Sequence, residues 1–331
     1  MTIKIIKSDN INDKLIYDIV KLVKIERKKT HFNKRLHNYE YYKWKLKDNP
    51  FGAYVAVYYS NEVLMGFCTF TAKSFSINNN NLLYELGDVY VSSQVRGRGY
   101  FFRMLREFHK QFPEIKVYGT PNDRALPSEL KVGYKELNMN IKYSFMPLGI
   151  PLFHFLYNKI FFAKFLFQLD FLTRKIFLIF ALFNKNYKCE VLTSVYNIDS
   201  KLFSSSLFKK NSKYLNWRYA SSPENYKYLT TLSGKHLVIY KNVTYKKIPF
   251  IFIVDHNLDT SLEKKELLKQ LVNKEKIFGI FEMTASDKNS FLPKSFSFKL
   301  KKIKFITYGQ IIQKKSRLED FSFCVGDTDN I

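Results

Sequence analysis

Arg96, Gly97, Arg98 and Gly99 put two guanidinium groups and two glycines into consecutive positions, a combination suited to holding an anion against the main chain. Glycine lets a ligand come close to backbone N–H groups and accepts backbone angles that other residues resist. The flanking sequence supplies the setting. Residues 83–91 carry enough β-branched and aromatic side chains, Tyr84, Val89, Tyr90 and Val91, for a strand, and Phe101, Leu105, Phe108 and Phe112 then recur at i, i+4, i+7 and i+11, which predicts a helix. A loop that opens a helix offers unbonded amides and the positive end of the helix dipole, so phosphate or pyrophosphate is the expected ligand. The spacing excludes two common phosphate loops. No G-x-x-x-x-G-K-[ST] string occurs, and a G-x-G-x-x-G fingerprint fails at its third glycine, where Phe102 stands.

What remains is Q-x-x-G-x-G, from Gln94 through Gly97 to Gly99, which resembles the acyl-CoA pyrophosphate loop of the GNAT acetyltransferase superfamily. The flanks extend the resemblance. Downstream, a strand-like segment at 115–120 runs into Pro121-Asn122-Asp123-Arg124-Ala125 and Lys131-Val132-Gly133-Tyr134, similar to the P-N-x-x-[SA] and K-x-G-[FYW] end of a GNAT domain. Upstream, Trp44-Lys45-Leu46 followed by Pro50-Phe51-Gly52 is similar to the W-[KR]-[YL]-x-x-x-P-x-G opening of GNAT proteins from bacterial surface-polysaccharide clusters, and it precedes two strand-like segments at 53–59 and 63–72. The resemblance implies acetyl-CoA as acyl donor, no metal, and an amino-sugar acceptor. It implies cofactor contacts from Val89, Tyr90, Val91, Gln94, Val95, Arg96, Gly97, Arg98, Gly99, Tyr100 and Asn122, with a backbone N–H at Val91 polarising the thioester carbonyl.

Acetyl transfer to an amine needs a neutral nitrogen, a polarised carbonyl and a proton for the departing thiolate. Glu85 stands six residues before Val91, a spacing that resembles the glutamate base of histone-type GNAT enzymes. Strict alternation puts it on the face of Val89 and Val91 and leaves Asp88 on the other; a bulge in the strand would exchange them. Both carboxylates are therefore candidates for the base, and both have a structural alternative as partners of lysine. Relatives often carry a tyrosine acid four residues before the glycine of G-[FY], but that place holds Glu129 here. Tyr134 is the catalytic candidate here and Tyr118 an alternative, both by proximity along the chain only. The histidines show no triad or metal spacing.

The elements that must position these groups come from a chain of 331 residues, long enough for two domains. Tyr214-Leu215-Asn216-Trp217-Arg218 repeats the pattern of Tyr41-Tyr42-Lys43-Trp44-Lys45, and strand-like segments at 227–232, 236–241 and 250–254, a helical pattern at 261–274 and a strand at 277–283 follow. This is the element order of the first half. After Val254, however, Asp255-His256-Asn257-Leu258-Asp259-Thr260 has no glycine pair and places acids where a phosphate would sit. The expected fold class is α+β: two tandem GNAT-like domains, each a mixed, largely antiparallel sheet flanked by helices, the second degenerate. The expected boundaries are a catalytic domain at 1–144, an aromatic helical connector at 145–190 and a degenerate domain at 191–331.

Lys and Arg number 54 against 29 Asp and Glu, so the net charge of +25 favours anionic partners such as nucleotide phosphates, acidic glycans or an anionic membrane leaflet. Nucleic acid has only this charge in its favour, since no recognition motif accompanies it. A Fem-type aminoacyl transferase, also a GNAT tandem, would not need the CoA loop. The basic, aromatic connector suits either packing between the halves or peripheral contact with an anionic membrane. Its charged residues interrupt every apolar run that could span one. Three widely spaced cysteines and an N-terminus that turns polar at once make a reducing, cytoplasmic setting the expectation. The tail Gly326-Asp327-Thr328-Asp329 is similar to the G-D-x-D ending of tandem relatives.

Overall fold

The computed structural model describes residues 2–27, 37–74, 82–148, 189–192, 210–231, 236–245, 248–258, 260–275, 277–284, 290–292 and 298–309. The first half begins with β1 (Thr2–Lys7) and α1 (Asp13–Arg27), then α2 (Tyr39–Tyr42), which continues into a π turn over Lys43–Lys47. Next come β2 (Ala53–Ser60), β3 (Val63–Ser74), β4 (Leu82–Val91), α3 (Tyr100–Gln111), β5 (Val117–Gly119), α4 (Leu126–Val132) and β6 (Lys135–Pro147). The second half supplies β7 (Cys189–Leu192), α5 (Ser212–Leu215) with its own π turn over Asn216–Ala220, β8 (Lys227–Thr231) and β9 (Leu237–Tyr245). It ends with β10 (Ile248–His256), α6 (Ser261–Lys274), β11 (Gly279–Thr284) and β12 (Phe298–Tyr308).

The helices form where sequence periodicity places them. In α1, Leu15, Ile16, Ile19, Val20, Leu22 and Val23 are buried, one continuous helical stripe, and Asn12 Oδ1 accepts the amide of Leu15 at 2.9 Å to start it. In α3, Met104, Leu105 and Phe108 are buried, with Phe108 stacked on Phe70 of β3 at 3.6 Å. These two helices cover the sheet from separate clusters, α1 with Trp44 and Val55, α3 with Phe70 and Leu86.

All twelve strands among the described residues belong to one sheet, in the order β1-β2-β3-β4-β5-β12-β6-β11-β10-β9-β8-β7. The order reads as the same series from both edges, with β4–β5 and β10–β11 parallel and the other neighbours antiparallel. Thus the fold class stands as α+β with two similar halves, and the halves are joined more closely than a tandem requires. The last strand of each half is exchanged: β12 pairs with β5 of the first half, and β6 pairs with β11 of the second. The boundary expected at 144 falls inside β6, whose last residues pair with β11. The connector at 145–190 and the G-D-x-D tail lie largely or wholly outside the described residues.

The repeated tryptophans meet between the halves. Trp44 and Trp217 stack at 5.2 Å, and each indole N–H donates to the other's backbone carbonyl, at 2.7 and 3.1 Å. Each buried ring thus satisfies its polar atom on its counterpart's chain.

Candidate active site

The parallel pairing of β4 with β5 covers only Tyr84–Val117, Glu85–Tyr118 and Leu86–Gly119. Beyond these the strands part. A cleft of about 290 Å³ opens there, walled by Gly87, Asp88, Val89 and Tyr90 on the β4 side and by Thr120, Pro121, Asn122, Ala125 and Glu129 on the other, with His37 also lining it.

A β-bulge shapes the first wall. Phe67 faces Tyr90 and Thr69 faces Gly87, so Cys68 alone opposes both Asp88 and Val89. Asp88 takes φ +44°, a left-handed conformation that few residues other than glycine, asparagine and aspartate accept. Its carboxylate receives Lys45 Nζ at 2.6 Å and lies 3.4 Å from the Tyr41 hydroxyl, with both charges almost fully buried. Gly87 makes room for that lysine, since a Cβ there would stand 3.3 Å from Nζ.

The bulge decides between the two acids found in the sequence. Glu85 is fully buried and receives Lys73 Nζ at 2.8 Å, with the ammonium 5.9 Å from the Tyr118 ring centroid. It is not among the cleft residues, whereas Asp88 is. Simple alternation fails because the extra residue at Asp88–Val89 turns the strand over. The same bulge removes Val91 from the cleft: Val91 pairs with Gly66, and its carbonyl accepts Arg96 at 3.1 Å. The ladder is interrupted at Asp88–Val89 instead.

Tyr134 is also placed elsewhere. It is 3% exposed, absent from the cleft, and its hydroxyl bonds to His109 Nε2 at 2.9 Å, beneath a stack of His109 on Tyr308 of β12 at 3.5 Å. Burial lowers the His109 pKa to about 4 and raises that of Tyr134 well above its ordinary value, so this pair is neutral. Glu129, set aside as a departure from pattern, reaches the cleft that Tyr134 does not. It shares the inward face of α4 with Leu126, at i and i+3, which is the sequence signal that could have found it. His37 carries no comparable local signal; it is 7% exposed, and its Nδ1 lies 2.8 Å from the Tyr42 hydroxyl.

The glycine loop follows β4 directly. Gly97 and Gly99 have φ of +83° and +76°, and a Cβ at either would meet nothing within 4 Å. Gly99 is the N-cap of α3 and gives it no side-chain cap, so the first-turn amides have no acceptor from the cap residue. Gln94, Arg96, Arg98 and both glycines are exposed. The loop is fixed from below. Val95 is buried in the α3 cluster, Tyr100 stacks on Tyr58 at 3.9 Å, and Glu26 of α1 accepts Ser93 N at 3.0 Å and Arg96 at 2.7 Å. Asn122 lines the cleft while its Oδ1 accepts the amides of Arg124 and Ala125 at 3.0 Å, a turn that sets up α4. The open, uncapped glycine path fits a pyrophosphate, and the cleft beside it fits the narrower arm and acyl group of an acyl-CoA. Among the described residues no His/Cys/Asp/Glu group could hold a metal ion.

The second half closes the equivalent space with its own side chains. Thr260 and Glu263 form a capping box at the start of α6, so that helix end is already bonded and carries a negative charge. Glu282 occupies the register position that Gly119 holds in β5. Its carboxylate accepts Ser290 Oγ at 2.7 Å and the amides of Phe291 and Leu292 at 2.6 and 3.1 Å, and Phe291 packs on His256 at 5.8 Å. Asp255 is also buried against a lysine and a tyrosine, Lys210 at 2.7 Å and the Tyr219 hydroxyl at 2.7 Å, though by the tryptophan repeat these stand at the positions of His37 and Leu46 and not at those of Lys45 and Tyr41.

Comparison with known proteins gives the same outline. Residues 18–125 match the model of the acetyltransferase (GNAT) family. No curated protein matches the chain. Among solved structures, the chain is similar to a GCN5-related N-acetyltransferase from Anabaena variabilis, at TM-score 0.62 and 10% identity over 92% of this chain and 72% of that one. It is similar to an acetyltransferase described from Pyrococcus horikoshii, at TM-score 0.58 and 8% identity over 96% and 92%. A tandem GNAT protein from the clavulanic acid biosynthesis pathway matches at TM-score 0.54 and 8% identity, over 93% and 98%. At such identities these structures speak to the fold.

Proposed function

We propose that this chain, an acyltransferase of the GNAT type whose two halves share that fold, takes its acyl group from acetyl-CoA and gives it to the amine of an amino sugar. The acceptor in this reading is nucleotide- or lipid-linked and belongs to surface-polysaccharide synthesis, in the cytoplasm or at the membrane surface. The observation that carries the donor assignment is the uncapped start of α3, with Gly97 and Gly99 open, placed directly after the strand that lines the cleft. The W-[KR] segments support the acceptor class, and the net charge of +25 suits a donor and an acceptor that both carry phosphate.

Each residue has a part in that reading. The first-turn amides of α3, with Arg98, bind the pyrophosphate, while Arg96 is held back by Glu26 and keeps the loop in shape. Val89 and Tyr90 line the path to the cleft, and Asn122 faces it from the other wall. The bulge takes Asp88 and Val89 out of the regular register with β3, and the backbone N–H of Val89, which lines the cleft, is the group this reading gives the task of polarising a carbonyl there. Bound acetyl-CoA supplies an activated thioester. Asp88 reads as the anchor of the bulge, because its carboxylate is already taken by Lys45, and Asp255 likewise takes a lysine and a tyrosine, from other positions, in the half whose cleft is filled. Glu85, sealed against Lys73, reads as structural.

The experiment is release of free CoA by the purified protein from acetyl-CoA and a UDP-linked amino sugar, with the N-acetylated form of the same sugar as control. CoA release with the free amine alone is expected. Equal release with the blocked sugar, or none with either, contradicts the acceptor assignment.

A further inference from the structure

The α4 wall of the cleft carries a carboxyl that the steps above do not use. Glu129 is 3% exposed, lines the cleft, and its Oε2 has no hydrogen-bond partner among the described residues. Its counterexample is Glu282, equally buried, whose oxygens are bonded by Ser290, Phe291 and Leu292. A structural acid is satisfied in that way; an unsatisfied one at the edge of a cleft is placed for a ligand.

The surroundings decide its protonation. Cys68 of β3 and Tyr134, just before β6, are close enough to Glu129 to feel its charge, and neither is cationic. His109 of α3, behind Tyr134, is held neutral by burial. Across the cleft stand His37, bonded to Tyr42, and Asp88, whose charge is answered by Lys45. Burial without a nearby cation pushes the Glu129 carboxyl up to about 8, so at neutral pH it keeps its proton.

We propose that Glu129 is the proton donor to the sulfur that leaves when an acyl thioester is opened in this cleft. The role rests on the acyltransferase reading of the site. As the acceptor nitrogen bonds to the acyl carbon and the carbon–sulfur bond breaks, its electron pair leaves on sulfur. Glu129 gives that sulfur its proton and becomes a carboxylate. The proton displaced from the nitrogen goes to solvent, and one proton from solvent restores the acid. A cysteine thiol titrates at about 8.5, and an alkyl thiol without the neighbouring backbone amides titrates higher, so the departing thiolate is a stronger base than the Glu129 carboxylate and proton transfer to it is downhill.

The test compares wild type with Glu129→Gln, which keeps shape but has no acidic proton. Infrared titration of the ligand-free protein should show a protonated carboxyl that ionises near pH 8 and is missing from the variant. Calorimetry should find acetyl-CoA affinity within about threefold of wild type. Turnover should fall by about 100-fold, without the alkaline limb that wild type shows as Glu129 ionises. A Glu129 carboxyl that ionises in the ordinary carboxylate range, or a variant that keeps wild-type turnover and its alkaline limb, overturns the role. Wild type that binds no acetyl-CoA overturns the reading of the site and this role with it; affinity retained with turnover unchanged overturns this role alone.

Discussion

Glu129 and His109 shape the dependence of stability on pH in opposite senses. Glu129 has a folded pKa raised from 4.5 to about 8, so the folded chain binds the extra proton between those values and loses stability as pH rises through them. His109 has a folded pKa lowered from 6.5 to about 4, so stability is lost as pH falls through that range. Between about 4.5 and 6.5 the two slopes oppose each other. From about 6.5 to 8 only Glu129 remains of the pair, and it should remove about 1.4 kcal/mol per pH unit relative to Glu129→Gln. Urea denaturation of both proteins across this range measures the difference. Parallel stability profiles would mean that Glu129 is not held neutral. Neither residue was legible as a pair from sequence, because what shifts them is burial assembled from β3, α3, α4 and β12.

At the scale of elements, β4 does most to determine the site. Its existence, its position before the loop and the helix that follows were all legible, since they rest on local pattern and on Gly97 and Gly99. Which acid reaches the cleft was not, because one extra residue at Asp88–Val89 reverses the alternation and a bulge leaves no mark of its own in the sequence. The bulge is held by the Lys45–Asp88 pair, and removing one buried partner leaves the other charge uncompensated. Lys45→Met should therefore cost about 3–5 kcal/mol, and adding Asp88→Asn should restore part of it. Chemical denaturation of the single and double variants measures this. A single variant costing under about 1 kcal/mol would show that the pair does not hold the bulge. In α6 the missing glycine pair was visible in the sequence, and the structure adds the reason the site is closed: Thr260, Glu263, Glu282 and Phe291 already occupy it.

At the scale of the molecule, the repeat around Trp44 and Trp217 announced two similar halves, but the exchange of β6 and β12 was not foreseeable. Pairing partners far apart in sequence leave no local trace, and both strands read as ordinary last strands of their own halves. The consequence is mechanical. β12 brings Ile306 and Tyr308 into the core behind the cleft, so the first-half site is completed by the second half. The chain should unfold in one cooperative transition, with calorimetric and van't Hoff enthalpies in agreement. Residues 1–148 alone, lacking β12, should fail to give a folded, soluble domain. Two separate transitions, or a well-folded fragment, would show that the shared strands do not couple the halves.

The proposed function requires one acyl-CoA site per chain, at the open start of α3. Calorimetric titration of acetyl-CoA into wild type and Gly97→Glu tests this most directly, since the substitution puts a carboxylate, and a side chain where φ is +83°, into an exposed loop with nothing packed against it. One molecule bound per chain by wild type, and no measurable binding by a folded Gly97→Glu protein, is the predicted result. Two molecules per wild-type chain, or undiminished affinity in the variant, would contradict it.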